Sequence, residues 1–230
     1  GGLQYALAPA MAPLLPVFNA GKMAVVLNVG TLIQPTTKAQ YLARNLPLPP
    51  KLFSHNDQQS FWQSSTVEGA KSGWGGRMAD LFLTQNSSPT VTAINAAGNA
   101  VFLTGRTASQ YAVSSAGPIA LNGNSKTLFG SAAGATALQS IIGATQGNLF
   151  GNELARTSSR ALTAYTPVST ALTGGPTIAT PFPTGNTLAD QLKVVARLIS
   201  ASQELGAKRQ VFFVSLGGFD LHSGLLATHP

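Results

Sequence analysis

The 230-residue sequence contains no cysteine, which excludes disulfides, thiolate metal sites and a cysteine nucleophile. Charge is scarce too: only 9% of residues are Asp, Glu, Lys or Arg, against a usual ~25%. Acids are the rarer sign, seven against 14 bases, so the net charge of +7 reflects missing acids rather than a basic surface. The bases are scattered, Lys208-Arg209 being the one adjacent pair, and no basic stripe interleaves with aromatics. That pattern argues against a nucleic-acid partner. No apolar run approaches the ~18 residues of a transmembrane segment. The best, residues 6–18, is broken by Pro9, Pro13 and Pro16. A Gly-x-Ser-x-Gly elbow is missing, which weakens a serine-esterase reading.

What is present suffices for a folded protein. Hydrophobic residues make up 44% and mean hydropathy is +0.16, enough for a sizeable core and contrary to disorder. Ser, Thr, Asn, Gln and Gly stand where Lys and Glu are usual, which suits an exported protein. The chain starts Gly1-Gly2-Leu3 without a signal peptide. It stops at His229-Pro230, just beyond a strand and a motif of mid-domain character. It reads as an interior piece of a longer protein, with His229 at an edge where it has no interpretable role.

Hydrophobic spacing predicts an α/β fold with a mainly parallel central sheet flanked by helices. Residues 10–20 read as a short helix stopped by Gly21. The run Ala24-Val-Val-Leu-Asn-Val29 reads as a strand buried on both faces. Residues 31–53 carry Pro35, Pro47, Pro49 and Pro50 and read as a long functional loop. A helix is predicted from Ser54 to about Ser64. Thr90–Ile94 and Ala100–Thr104 read as a β-hairpin turning through residues 95–99. Residues 105–185, rich in Gly, Ala, Ser and Thr, read as an insertion or variable region of one α/β domain. A helix is predicted there over 153–164 and a loop over 166–185. The clearest helix spans about Leu188 to Leu205, capped by Asn186 or Thr187 and ended by Gly206. Val211–Leu216 reads as a second doubly buried strand.

Two short motifs hold two of the three histidines and two of the four aspartates. In Leu216-Gly-Gly-Phe-Asp-Leu-His-Ser223, a tight turn follows a strand end, the place where open α/β sheets bind ligands. Asp220 and His222 offer a hard oxygen and a borderline nitrogen to one divalent cation. The same residues also suit a Gly-Gly turn followed by an Asp cap and an exposed histidine. In Phe53-Ser-His-Asn-Asp-Gln-Gln59, Ser54 and Asp57 have capping-box spacing. They equally place a hydroxyl at a helix N-terminus, where N–H groups and the dipole favour anions and an alkoxide nucleophile. Gly73-Trp-Gly-Gly-Arg77 lacks the Lys-Ser/Thr of a P-loop. Arg77 can pair with an anionic substrate or take a surface role at a helix start.

These motifs stand in a familiar order together with Asn19-Ala-Gly-Lys-Met-Ala-Val-Val-Leu-Asn-Val-Gly30 and Pro35-Thr-Thr-Lys-Ala-Gln-Tyr41. The set resembles the bacterial family called domain of unknown function 1501, most densely over residues 10–82 and 186–223. That family looks like a branch of the alkaline phosphatase and sulfatase superfamily, whose members are typically exported with a twin-arginine signal. The resemblance implies an alkaline-phosphatase-like fold and a divalent metal (zinc, manganese or calcium) beside a hydroxyl nucleophile. By order along the chain, Ser54 matches the nucleophile and Asp220 with His222 the first downstream ligand pair. His55 and Asp57 lie beside Ser54 as supporting or ligand candidates. Further ligand-bearing segments are expected before Gly1 and after Pro230, so the chain carries only part of the expected site. Leu221 stands where a Thr is usual. The expected function is metal-dependent hydrolysis of a phosphate or sulfate ester outside the cytoplasm. The alternative is a non-catalytic secreted or cell-surface protein that binds cell-surface material or assembles on the same fold.

Overall fold

The computed structural model describes residues 6–27, 29–120 and 127–228. The chain divides into two compact units, one comprising Gly1–Pro49 with Leu216–Pro230, the other Pro50–Ser215.

The second unit holds the sheet. Its strands are β1 (Ala93–Asn95), β2 (Tyr111–Ser114), β3 (Gly117–Pro118) and β4 (Val211–Phe213), in the order β3-β2-β1-β4. β1 lies parallel to both neighbours, with Ile94 opposite Tyr111 on one side and Phe212 on the other. β2 and β3 pair antiparallel, Val113 opposite Pro118. The architecture is therefore α/β, a small mixed sheet with flanking helices.

Period-two alternation sends successive side chains of the inner strands to opposite faces of the sheet, and β1 is buried on both. On one face, Ile94, Tyr111 and Val113 pack with Val168 and Leu172 of α6 (Leu149–Gly174) and Val194 and Leu198 of α7 (Thr187–Ser200). On the other, Ala93, Val211 and Phe213 meet Ala79 of α4 (Trp74–Phe82) and the 3-10 turn Val101–Leu103. Neighbours 93 and 94 thus feed opposite cores.

Several expectations need correction. Residues 24–27 and 29 form no strand; Val25, Val26 and Val29 are exposed, Val26 at 74%. An apolar β-branched run becomes a strand only when a neighbouring ladder takes its N–H and C=O groups, and this run joins none. The hairpin expected through residues 95–99 is replaced by β1 followed by a 3-10 turn, while the antiparallel hairpin is β2–β3, closing where Ser114 pairs with Gly117. β2 lies inside the stretch read as an insertion, yet it is an interior strand of the sheet. The loop expected over 166–185 begins only after Gly174, because α6 continues through Pro167. Val168, Ala171 and Leu172 are buried, and that packing offsets the ~3 kcal/mol a helix-interior proline costs. The strand expected over 211–216 ends at Phe213.

Other expectations hold in part: the helix expected to reach about Leu205 starts as read but stops at Ser200. α7 starts at an Asn186 cap, whose Oδ1 accepts from Ala189 N at 2.9 Å. In the first unit, a 3-10 turn (Pro9–Leu14) runs into α1 (Leu15–Asn19). Gly21 at φ +69° closes α1: its N–H bonds Phe18 O and that of Lys22 bonds Val17 O. The prolines explain the 3-10 start. The stretch read as loop instead contains α2 (Lys38–Ala43), which starts at a Thr37–Gln40 capping box.

Candidate functional site

α3 (His55–Ser64) begins where the sequence places it, with Ser54 as its N-cap. The cap is unusual: the Ser54 side chain accepts no bond from the helix and instead donates to Asp57 Oδ2 at 2.7 Å. The reciprocal capping box is therefore replaced by a hydroxyl–carboxylate pair. Asp57 is buried at 5% exposure, and its Oδ1 accepts from Glu68 N at 3.1 Å and pairs with the exposed Lys51 Nζ at 3.6 Å. The Ser54 hydroxyl, first, and then the Glu68 N–H and Lys51 hold the Asp57 carboxyl below its ordinary value, against the opposing effect of burial. Asp57 is accordingly ionised at neutral pH, and the Ser54 hydroxyl is fixed as its donor. His55 occupies the first turn of α3 and is exposed.

The chain enters this helix through a strained turn. Lys51 lies at φ +54° and Phe53 at φ +69°, the left-handed region that costs a non-glycine residue ~1–2 kcal/mol. Ser54 N closes the turn onto Lys51 O at 3.1 Å. Composition gave no sign of this strain or of Lys51 and the Glu68 N–H as partners of Asp57. The basic residue three positions before Ser54 was the only trace in the sequence.

Arg77 does not stand free to meet an anion. Its guanidinium donates to Ser64 O, at the C-terminus of α3, and to Ser72 O at 3.2 Å. A cation there complements the negative end of the helix dipole. The Trp74 indole N–H also donates to Trp62 O, so α4 braces α3 from its last turn.

Asp220 and His222 lie in the first unit, in an exposed irregular stretch seven and nine residues past the end of β4, after a turn at Gly218 with φ +89°. His229 falls outside the described residues. As a metal set these residues are incomplete: among the described residues no group of three or more His, Asp and Glu side chains is placed to hold an ion. Asp57, the third candidate, already gives both oxygens to Ser54, Glu68 N–H and Lys51. A catalytic zinc takes three protein ligands, so the residues described do not fit a complete centre. No helix among the described residues is long and apolar enough to cross a membrane.

No protein-family model, curated protein or solved structure matches this chain.

Proposed function

We propose that the protein is an exported bacterial hydrolase of phosphate or sulfate esters, of the alkaline phosphatase type, with Ser54 as nucleophile. One observation carries this reading: Ser54 follows a left-handed Phe53, begins a helix, and directs its hydroxyl to the buried Asp57 carboxylate at 2.7 Å. Backbone strain of this kind clusters at functional sites, where the surroundings over-determine it. Asp57 locks the rotamer of Ser54 and leaves the oxygen lone pairs clear of the cap bond that serine usually accepts. Ser54 Oγ then bonds to phosphorus or sulfur while the ester oxygen departs as an alcohol. The hydroxyl proton leaves along the bond to Asp57 and ends on that alcohol, and water releases the anion from Ser54. Asp220 and His222 remain two candidate donors to a divalent ion (zinc, manganese or calcium), but without a third ligand among the described residues they do not complete a centre, and no step of the hydrolysis is routed through them. Membership of the domain of unknown function 1501 family belongs to the same proposal.

The second reading, a non-catalytic surface-binding or assembly protein, is favoured by a different observation. In the first unit Val26, Val29, Leu32 and Ile33, close together in sequence, are all about half exposed or more, and apolar side chains left open in this way are available to a partner surface.

The test is release of p-nitrophenol from p-nitrophenyl phosphate and p-nitrophenyl sulfate, with zinc, manganese or calcium added. Wild type is expected to turn over one of them, and Ser54→Ala to lose at least about 1000-fold. Wild-type rates in Ser54→Ala overturn the nucleophile assignment. No turnover by wild type with either ester and any of the three metals favours the second reading.

A further inference from the structure

A cavity of about 1120 Å³ opens in the second unit between α6 and the segments leading into β1 and β2. Neither Ser54 nor Asp57 lines it, so its chemistry is independent of the hydrolase reading. α6 contributes Arg156, Thr157, Arg160 and Ala161, positions one turn apart on a single helical face. The core-facing residues of the same helix, Ala164, Val168 and Leu172, hold that face in place against the sheet. Thr84, Thr90, Ser109 and Gln110 give the other walls hydroxyl and amide groups, and Tyr111, 7% exposed, presents the little of its ring that the core leaves.

Charge decides what such a cavity takes. No aspartate or glutamate lines it. Arg156 is partnered by Glu153 at 3.1 Å, but among the described residues no carboxylate forms an ion pair with Arg160. A neutral apolar ligand would desolvate a guanidinium without giving it a partner. A divalent cation would find no carboxylate. A nucleobase would find no stacking platform, Tyr111 being the one aromatic and mostly buried. An anion, in contrast, meets two guanidinium groups on residues one helical turn apart, Arg160 with no ion pair among the described residues and Arg156 shared with Glu153. The volume slightly exceeds the usual 300–1,000 Å³ range of small-molecule sites, leaving room for a polar body beyond the anion.

The geometry points to a binding site for a sugar-like, hydroxyl-rich small molecule bearing a phosphate or sulfate group. Arg160 and Arg156 hold the anion, and the threonine, serine and glutamine side chains pair with the hydroxyls.

Isothermal titration of the protein with glucose 6-phosphate, glucose 6-sulfate and glucose tests this. At least one ester is expected to bind tenfold or more tightly than glucose, with an affinity that falls as salt rises. The tighter of the two identifies the anion. Arg160→Gln is expected to weaken that ester about tenfold while leaving the melting temperature in place, since the half-buried Arg160 forms no ion pair among the described residues and glutamine keeps most of its length. Arg160→Lys keeps the charge but loses the fork, and should fall between the two; it also carries the test should Arg160→Gln fail to fold. Equal binding of glucose and both esters, no binding of any of the three, or unchanged ester affinity in Arg160→Gln and Arg160→Lys overturns the assignment.

Discussion

A helix-interior glycine replaced by alanine ordinarily gains about 1 kcal/mol, because alanine loses less backbone entropy on folding. Gly76, in the first turn of α4, is expected to do the reverse. A Cβ built there falls within 3.0 Å of the Thr104 carbonyl carbon and oxygen and of Gly105 N, all backbone atoms. Those atoms have little freedom to retreat. Gly73 N donates to Thr104 O at 2.8 Å, Thr104 N to Val101 O at 3.0 Å, and Gly105 N to Ala108 O at 2.9 Å. Overpacking of this kind costs about 1–3 kcal/mol, and each backbone hydrogen bond surrendered adds about 1 kcal/mol. With one such bond lost, setting the helix-propensity gain against these leaves a net loss of about 1–3 kcal/mol for Gly76→Ala. For a domain of this size that lowers the melting temperature by about 2–12 °C. Circular dichroism melts of Gly76→Ala and of Gly174→Ala, where a Cβ meets nothing within 4 Å, read the contrast directly. The control should hold or gain stability. If Gly76→Ala melts at or above wild type, the close approach of α4 to residues 101–105 is refuted.

Asp80 supports that same segment, its carboxylate accepting from the N–H groups of Arg106, Thr107 and Ala108 at 2.7 to 3.0 Å. Burial pulls its carboxyl upward, but the three N–H groups outweigh it and hold it below the ordinary 3.8. With the folded-state value lowered, the unfolded chain takes up protons first as pH falls. The stability Asp80 contributes is complete above about pH 5 and is lost as pH drops through its lowered value. Urea midpoints should be flat from pH 7 to 5 and fall below pH 4, and Asp80→Asn should flatten that fall; an unchanged slope in the variant contradicts the clamp. Asn86 is buried and ties the end of α4 to the approach to β4, donating to Thr92 Oγ1 and Arg209 O and accepting from Lys208 N and Arg209 N. Asn86→Ala should cost about 2–4 kcal/mol, seen as a lowered urea midpoint, because buried backbone groups lose their partners; a loss within about 0.5 kcal/mol would contradict it.

The sequence was read most reliably where a signal is local. α7 was legible from its Asn186 cap and its apolar period, and α3 from the Ser54–Asp57 spacing, because helix hydrogen bonds and caps close within a few residues. It was read least well where a partner is remote. Residues 24–29 have the composition of a buried strand, but composition does not supply the neighbouring ladder. The run through Pro167 has the composition of a loop, but burial of Val168, Ala171 and Leu172 against the sheet keeps it helical. The candidate site divides in the same way. That Ser54 starts a helix was readable from order along the chain. That its hydroxyl donates to Asp57, that Lys51 and the Glu68 N–H share the carboxylate, and that Arg77 is spent on helix carbonyls was not.

By itself, the sequence determined the α/β class, the absence of thiol chemistry, the starts of α3 and α7 and the residues able to carry polar chemistry. Those follow from residue type and from spacings of one to four positions. The tertiary structure alone decided which strands pair, that the later turns of α6 meet the sheet while its earlier turns leave Arg156 and Arg160 on a cavity, and which acceptor each donor finds. Those outcomes depend on contacts between residues tens to more than a hundred positions apart, as Asn86 with Arg209 shows, and no local pattern encodes them.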